Sequence, residues 1–143
     1  MTNDASIQKY IIVYLLFSLA GWIYDHLIFN MGEQDNQDPL LKKMSRANIP
    51  LCSIYGLAGV ILLFIHYNMT TIPFILKVLL ASIVINSIEC LMGQLSYRIN
   101  GFASWNYQEY LVPACSGYIS LTTAIWWTFL IAIIFIVFDE MDI

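Results

Sequence analysis

One acidic residue could do chemistry in an otherwise apolar setting: Glu89, within the run from Ile72 to Tyr97. A carboxylate at membrane depth is costly, so such groups are neutral, paired or line a polar cavity. We therefore interpret Glu89 as the centre of an intramembrane site for a proton, an ion or a small solute. Retention of the acid for helix packing alone is the alternative, although Gln or Ser would serve packing at lower cost.

Small and polar side chains share the helix face of Glu89. Positions three or four apart lie on one face of a helix, and this spacing is followed by Ser82, Asn86, Glu89, Gly93 and Tyr97. Asp25, near the end of the first apolar run, and Tyr55, near the start of the second, are candidate neighbours. The predicted polar site comprises Glu89, Asn86, Ser82, Asp25 and Tyr55.

Several other polar or aromatic residues have a structural interpretation. Asp25 lies near the end of its apolar run, where a solvated carboxylate is ordinary, so both readings of it stay open. His26 and His66 fit the headgroup level as amphipathic residues. Trp126 and Trp127 fall near the middle of the last run, and we expect at least one to face other helices and find an acceptor. Helix packing suffices to explain Gly56, Gly59, Ser82, Ser116, Ser120 and Thr123.

The composition indicates an integral membrane protein. Of the 143 residues, 59% are hydrophobic and 11% charged, whereas a soluble domain carries about 25% charged residues. The net charge is −4, and the basic residues Lys42, Lys43 and Arg46 are too few for a nucleic-acid surface. We expect no nucleic-acid partner.

Four apolar runs have about the 20 residues that a bilayer requires. They predict helices at about 10–29, 49–67, 72–97 and 113–138, the second and third forming a tight hairpin. Helices satisfy their own backbone hydrogen bonds in lipid. We therefore predict an all-α, polytopic membrane protein, with residues 1–143 forming a single bundle of four transmembrane helices.

The three cysteines, Cys52, Cys90 and Cys115, fall in or beside apolar runs. None forms a CxxC pair and no His lies at ligand spacing, so we interpret them as small buried hydrophobes and expect no disulfide framework. We also expect no metal site and no bound cofactor.

The basic residues near helix ends predict sidedness. Lys42, Lys43, Arg46 and Arg98 lie on the long connections, against Lys9 and Lys77 on the opposite side. This weak bias places the long loops 30–48 and 98–112 in the cytoplasm. Membrane lipid is the expected environment, with a homo-oligomer or a partner membrane subunit as further possibilities.

Motifs spread along the chain resemble those of the ABC-transporter type IV, or CmpB-like, membrane protein family. They occur in the family's order: Gly21, Trp22, Tyr24 and Asp25; Cys52, Ile54, Tyr55 and Gly56; Glu89 and Gly93; Trp105 and Tyr107, which flank the motif position Asn106; Gly117 and Ile119; and Trp126. The resemblance covers nearly the whole chain and implies a transport-related membrane protein.

Four positions depart from the family pattern. Asp25 stands where the family has Glu, and Ser53 replaces a Pro. Asn106 and Gln108 replace Asp and Ser, and the carboxylate lost at Asn106 could remove a partner for a proton or cation. The chain also lacks the GxxxxGK[ST] loop, so it carries no ATPase of that type.

Three functions compete at this point. Transport or channel activity would use Glu89 as the group that binds a proton or cation. A structural or interaction subunit would use the polar stripes for packing and the aromatic loop around Trp105 and Tyr107 for partners or lipid headgroups. An intramembrane enzyme acting on lipid is less favoured, because no nucleophile–base pair is recognisable.

Overall fold

The computed structural model of the protein describes residues 3–24, 54–101, 105–141 and 143. These residues form four α-helices, which are α1 (Asn3–Tyr24), α2 (Ile54–Asn68), α3 (Phe74–Asn100) and α4 (Leu121–Glu140). In the described part of the chain, α1, α3 and α4 are long and apolar enough to cross a bilayer, whereas α2 is shorter. The mostly helical membrane fold is therefore confirmed, and the fourth span stays a prediction.

The chain divides into two compact units, residues 1–64 and 65–143. In the first unit, glycines allow close contact between α1 and the start of α2. A Cβ atom added at Gly21 would collide with the Tyr55 ring, and one at Gly59 would collide with Phe17. Gly56 lies equally close to Ser18, which is fully buried. This small-residue packing is the kind that the sequence predicted for Gly56 and Gly59.

In the second unit, α3 and α4 pack side by side in antiparallel directions. The Ser82 and Thr128 hydroxyls meet near the middle, and Lys77 lies over the Phe135 ring near one end. Ile85 and Phe135 are fully or almost fully buried in this unit. The opposite faces carry exposed apolar side chains that suit lipid, among them Ile83, Leu91, Phe129 and Ile133.

Residues 113–120 were expected to begin the fourth helix, and this prediction is wrong. Strands β1 (Pro113–Ala114) and β2 (Ile119–Ser120) pair in antiparallel register around a 3₁₀ turn at Cys115–Gly117. Cys115 and Ser116 have positive φ angles, which a right-handed helix excludes. The helix starts after Ser120, whose hydroxyl accepts from the Thr123 N–H in a capping box.

The expectation for the cysteines is also wrong in part, because Cys90 and Cys115 form a disulfide. Their Cα atoms lie 5.8 Å apart, which joins the 3₁₀ turn to the side of α3. The pairing bridges 25 residues of sequence and depends on the unpredicted turn. Cys52 lies outside the described residues.

The other end of the α3–α4 pair is closed by aromatic contacts around His66. Its ring lies 5.7 Å from that of Phe135 and 5.6 Å from that of Phe138, between centroids. Its Nε2 atom is 3.4 Å from Asp139 Oδ1. His66 is thus buried against α4 at the point where α2 ends.

Candidate functional site

Glu89 lies on the buried side of α3, with 8% of its surface exposed. The indole N–H of Trp127 donates a hydrogen bond to its side chain across the α3–α4 contact. One of the two tryptophans thus finds an acceptor, as the sequence predicted. Trp126 instead faces away from the packed interior, since 71% of its surface is exposed. The acid accordingly has a companion on a neighbouring helix and is not presented to hydrocarbon.

One turn away, Asn86 begins a short series of hydrogen bonds. Its Nδ2 atom donates to the Ser82 carbonyl oxygen at 2.8 Å and lies 3.4 Å from the Ser82 hydroxyl. Ser82 Oγ is 2.8 Å from Thr128 Oγ1, which donates its own proton to the Ala124 carbonyl. Because a hydroxyl has one proton, Ser82 must donate to Thr128. The series therefore joins α3 to α4 through direct contacts.

These bonds leave two buried acceptors unused. Asn86 must direct its NH₂ group toward the Ser82 carbonyl, so its oxygen, Oδ1, is left as an acceptor. Neither Asn86 Oδ1 nor Glu89 Oε2 has a hydrogen-bond partner among the described residues, and both atoms are buried. Residues three apart share a helix face. An unsatisfied buried acceptor costs about 1–3 kcal/mol, so this face favours a proton donor or a cation.

The structure describes the other predicted site residues only in part. Tyr55 belongs to the first unit, where its ring packs on Gly21 and meets the Tyr24 ring edge-on at 6.4 Å. Trp22, a family-motif position, is half-buried on α1. Asp25 and Cys52 fall outside the described residues. The structure therefore brings Glu89, Asn86 and Ser82 together on one face, and their role as a binding site stays a prediction.

On the loop side of Glu89, Tyr118 covers the next turn of α3. Its ring lies so close to Gly93 that an added Cβ would collide with it. The Trp105 indole N–H donates to the Tyr118 carbonyl at 3.1 Å, and the two rings meet edge-on at 6.4 Å. Tyr118 is buried, with 7% of its surface exposed.

The remaining motif positions shape this loop. The Tyr107 N–H donates to the Gly117 carbonyl at 2.6 Å. Asn106 Oδ1 accepts from the Gln108 N–H at 2.8 Å, and a Cβ at Gly117 would collide with both side chains. Gly117 also has a φ angle of 88°, which glycine adopts at little cost. These contacts explain why a glycine is needed here.

Sequence reasoning did not place Trp127, Thr128 or Tyr118 in the site. The pairing of Trp127 with Glu89 could have been predicted, since a buried indole needs a hydrogen-bond acceptor and Glu89 was the acceptor predicted to lie deepest in the membrane. The contacts of Thr128 and Tyr118 could not, because their partners depend on the register between α3 and α4.

Comparison with known proteins is consistent with this fold. The family described as "Putative ABC-transporter type IV" matches residues 12–141. No curated protein and no solved structure matches the chain.

Proposed function

Because the chain belongs to the ABC-transporter type IV family of membrane proteins, we propose that it moves a proton, an ion or a small solute across the membrane. Glu89 is the group that binds the proton or cation during transport. Asn86 and Ser82 are its neighbours on α3, and Trp127 holds its carboxyl group from α4. Asp25 and Tyr55 remain proposed contributors from the N-terminal part of the chain.

The observation that supports this proposal is the pair of buried acceptors, Glu89 Oε2 and Asn86 Oδ1, without partners among the described residues. A proton on Glu89 would convert one acceptor into a donor. A bound cation would instead take both oxygens as ligands, since hard cations prefer carboxylate and amide oxygens. Either event changes the charge at a depth where charge is costly.

A structural or interaction subunit is the second candidate, and one observation favours it. The Ser82–Thr128 contact is a direct hydrogen bond at 2.8 Å, as expected for packing between helices. In that case the Glu89–Trp127 hydrogen bond would be a second bond in the same contact between α3 and α4. This candidate predicts no flux for any variant, an intact fold in Glu89→Gln, and purification with a stoichiometric partner.

The test is flux into proteoliposomes that contain a dye sensitive to protons, sodium or potassium, each under a gradient of the matching ion. Glu89→Gln keeps the shape of the side chain but removes its charge, so we expect flux to fall at least ten-fold. Glu109→Gln is the matched control, because it removes an exposed carboxylate from the loop. Equal flux for the two variants would reject the role of Glu89.

Partners and sidedness are also proposals. So few spanning helices leave little room for a pore within one chain, so we propose a homo-oligomer in membrane lipid, to be checked by cross-linking in native membranes. The Lys and Arg count supports a cytoplasmic position for residues 30–48. For the 98–112 connection we propose the opposite side, because the neighbouring Cys90–Cys115 disulfide would persist in an oxidising compartment.

A further inference from the structure

An open cavity of about 640 Å³ lies at the end of α3, within the second unit. It is separate from Glu89 and plays no part in the function proposed above. Its walls come from the last turns of α3 and from the loop that follows. The lining side chains include Gln94, Tyr97, Arg98, Asn106, Ser116 and Tyr118.

Among the described residues, this lining is rich in hydrogen-bond donors and includes no acidic side chain. Arg98 supplies a guanidinium group, and no carboxylate of the described residues forms an ion pair with it. The oxygen of the Asn106 amide already accepts from the Gln108 N–H, so its NH₂ group is the part available to a ligand. The tyrosine and serine hydroxyls can donate as well.

We propose that this cavity binds a phosphate group. A guanidinium binds phosphate through two parallel hydrogen bonds, and the amide and hydroxyl donors of the lining could serve the other phosphate oxygens. The cavity lies at the end of α3, and its lining residue Asn106 is flanked in sequence by Trp105 and Tyr107, residue types that are enriched at the membrane interface. Phosphate can reach it either as a lipid headgroup or as a soluble ion or ester.

The two walls are held together before any ligand arrives. The Cys90–Cys115 disulfide links α3 to the turn that carries Ser116. The Gln94 amide lies 3.4 Å from Cys115 Sγ, and Tyr118 rests on Gly93. Such preorganisation reduces the entropy that a ligand must lose to order its site.

The experiment measures binding to the purified, oxidised protein in two arms. In the first arm, inorganic phosphate is titrated against protein in detergent. In the second, the protein is placed in nanodiscs that contain either phosphatidic acid or diacylglycerol, which differ only in the phosphate, and the retained lipid is quantified by native mass spectrometry. The variants are Arg98→Gln, Asn106→Asp and, as the control of equal charge change, Lys9→Gln.

We expect Arg98→Gln to weaken phosphate-dependent binding at least ten-fold, whereas Lys9→Gln leaves it unchanged. Asn106→Asp should weaken it similarly, because it places a negative charge in the lining without removing Arg98. Binding in the phosphatidic acid arm alone identifies a lipid headgroup, and binding in the inorganic phosphate arm alone identifies a soluble ligand. The proposal is overturned if neither arm shows phosphate-dependent binding, or if Arg98→Gln and Lys9→Gln behave alike in both.

Discussion

Glu89 and Trp127 show how a single hydrogen bond can determine which way a buried acid faces. The indole N–H that reaches Glu89 comes from α4, so the carboxyl group points into the helix pair. A hydrogen bond to a charged group contributes about 1.5–3 kcal/mol, and a buried group that loses its partner costs more. The tryptophan therefore stabilises both the acid and the contact between the helices.

Trp127→Phe tests this contact, because it keeps an aromatic ring and removes only the donor and part of the bulk. We expect the free energy of unfolding in detergent to fall by about 1–3 kcal/mol. Trp126→Phe is the control, since Trp126 is 71% exposed and should change stability little. In a Glu89→Gln background the Trp127→Phe cost should change, because contacting residues are not additive. Additive costs would contradict a direct contact.

The sequence predicted part of the arrangement around Glu89, whose role as a site stays a prediction. The depth of Glu89 and the need of an indole for an acceptor both follow from residue type and position. The Thr128–Ser82 bond does not, because it depends on the register of α4 against α3. The Cys90–Cys115 pairing was missed for a related reason: only the turn at 115–117 brings Cys115 to the side of α3.

The contact between α3 and its following loop depends on a residue without a side chain. Gly93 brings the α3 backbone against the Tyr118 ring, and Trp105 fixes the Tyr118 backbone from the other side. The loop therefore packs onto α3 over the turn that follows Glu89. A larger residue at Gly93 has to displace atoms near the base of the Tyr118 side chain, which cannot rotate away freely.

Gly93→Ala should consequently destabilise the loop. Alanine favours a helix over glycine by about 0.5–1 kcal/mol, whereas overpacking costs about 1–3 kcal/mol, so the net change should be a loss. We expect faster hydrogen exchange at residues 105–120 and unchanged exchange in the middle of α4. Ser87→Ala is the control, because it introduces the same residue at an exposed position of α3. Slower exchange in Gly93→Ala would contradict the close contact.

Helix existence was easier to predict than helix limits. Apolar runs located α3 within a few residues, since a span of that length has few alternatives. The predicted start of α4 was eight residues early, because Pro113 to Ser120 carry no charged residue that would separate them from the apolar helix that follows. Their hairpin is set by positive φ angles at Cys115 and Ser116, which residue type alone does not reveal.

For the whole molecule, the number of membrane crossings determines which connections share a side. The described part of helix α2 has 15 residues, or about 22 Å at 1.5 Å per residue, against a hydrocarbon core of about 30 Å, and the residues before Ile54 lie outside the described part of the chain. If α1, α3 and α4 alone cross, the basic connection around Lys43 and the 98–112 connection lie on opposite sides. Three crossings then agree both with the positive-inside rule and with an oxidising compartment, in which a disulfide would persist. Four crossings place these connections on the same side.

Labelling with a membrane-impermeant maleimide distinguishes the two arrangements. Single reporters are introduced as Lys43→Cys, Thr70→Cys and Glu109→Cys in a Cys52→Ser background, with the disulfide cysteines left paired. We expect Glu109→Cys to be labelled in intact cells, whereas Lys43→Cys and Thr70→Cys are labelled only after the membrane is permeabilised. The unsubstituted background gives the control signal. Equal labelling of positions 43 and 109 in intact cells, with position 70 protected, would instead establish four crossings, because α2 would then separate Lys43 from Thr70.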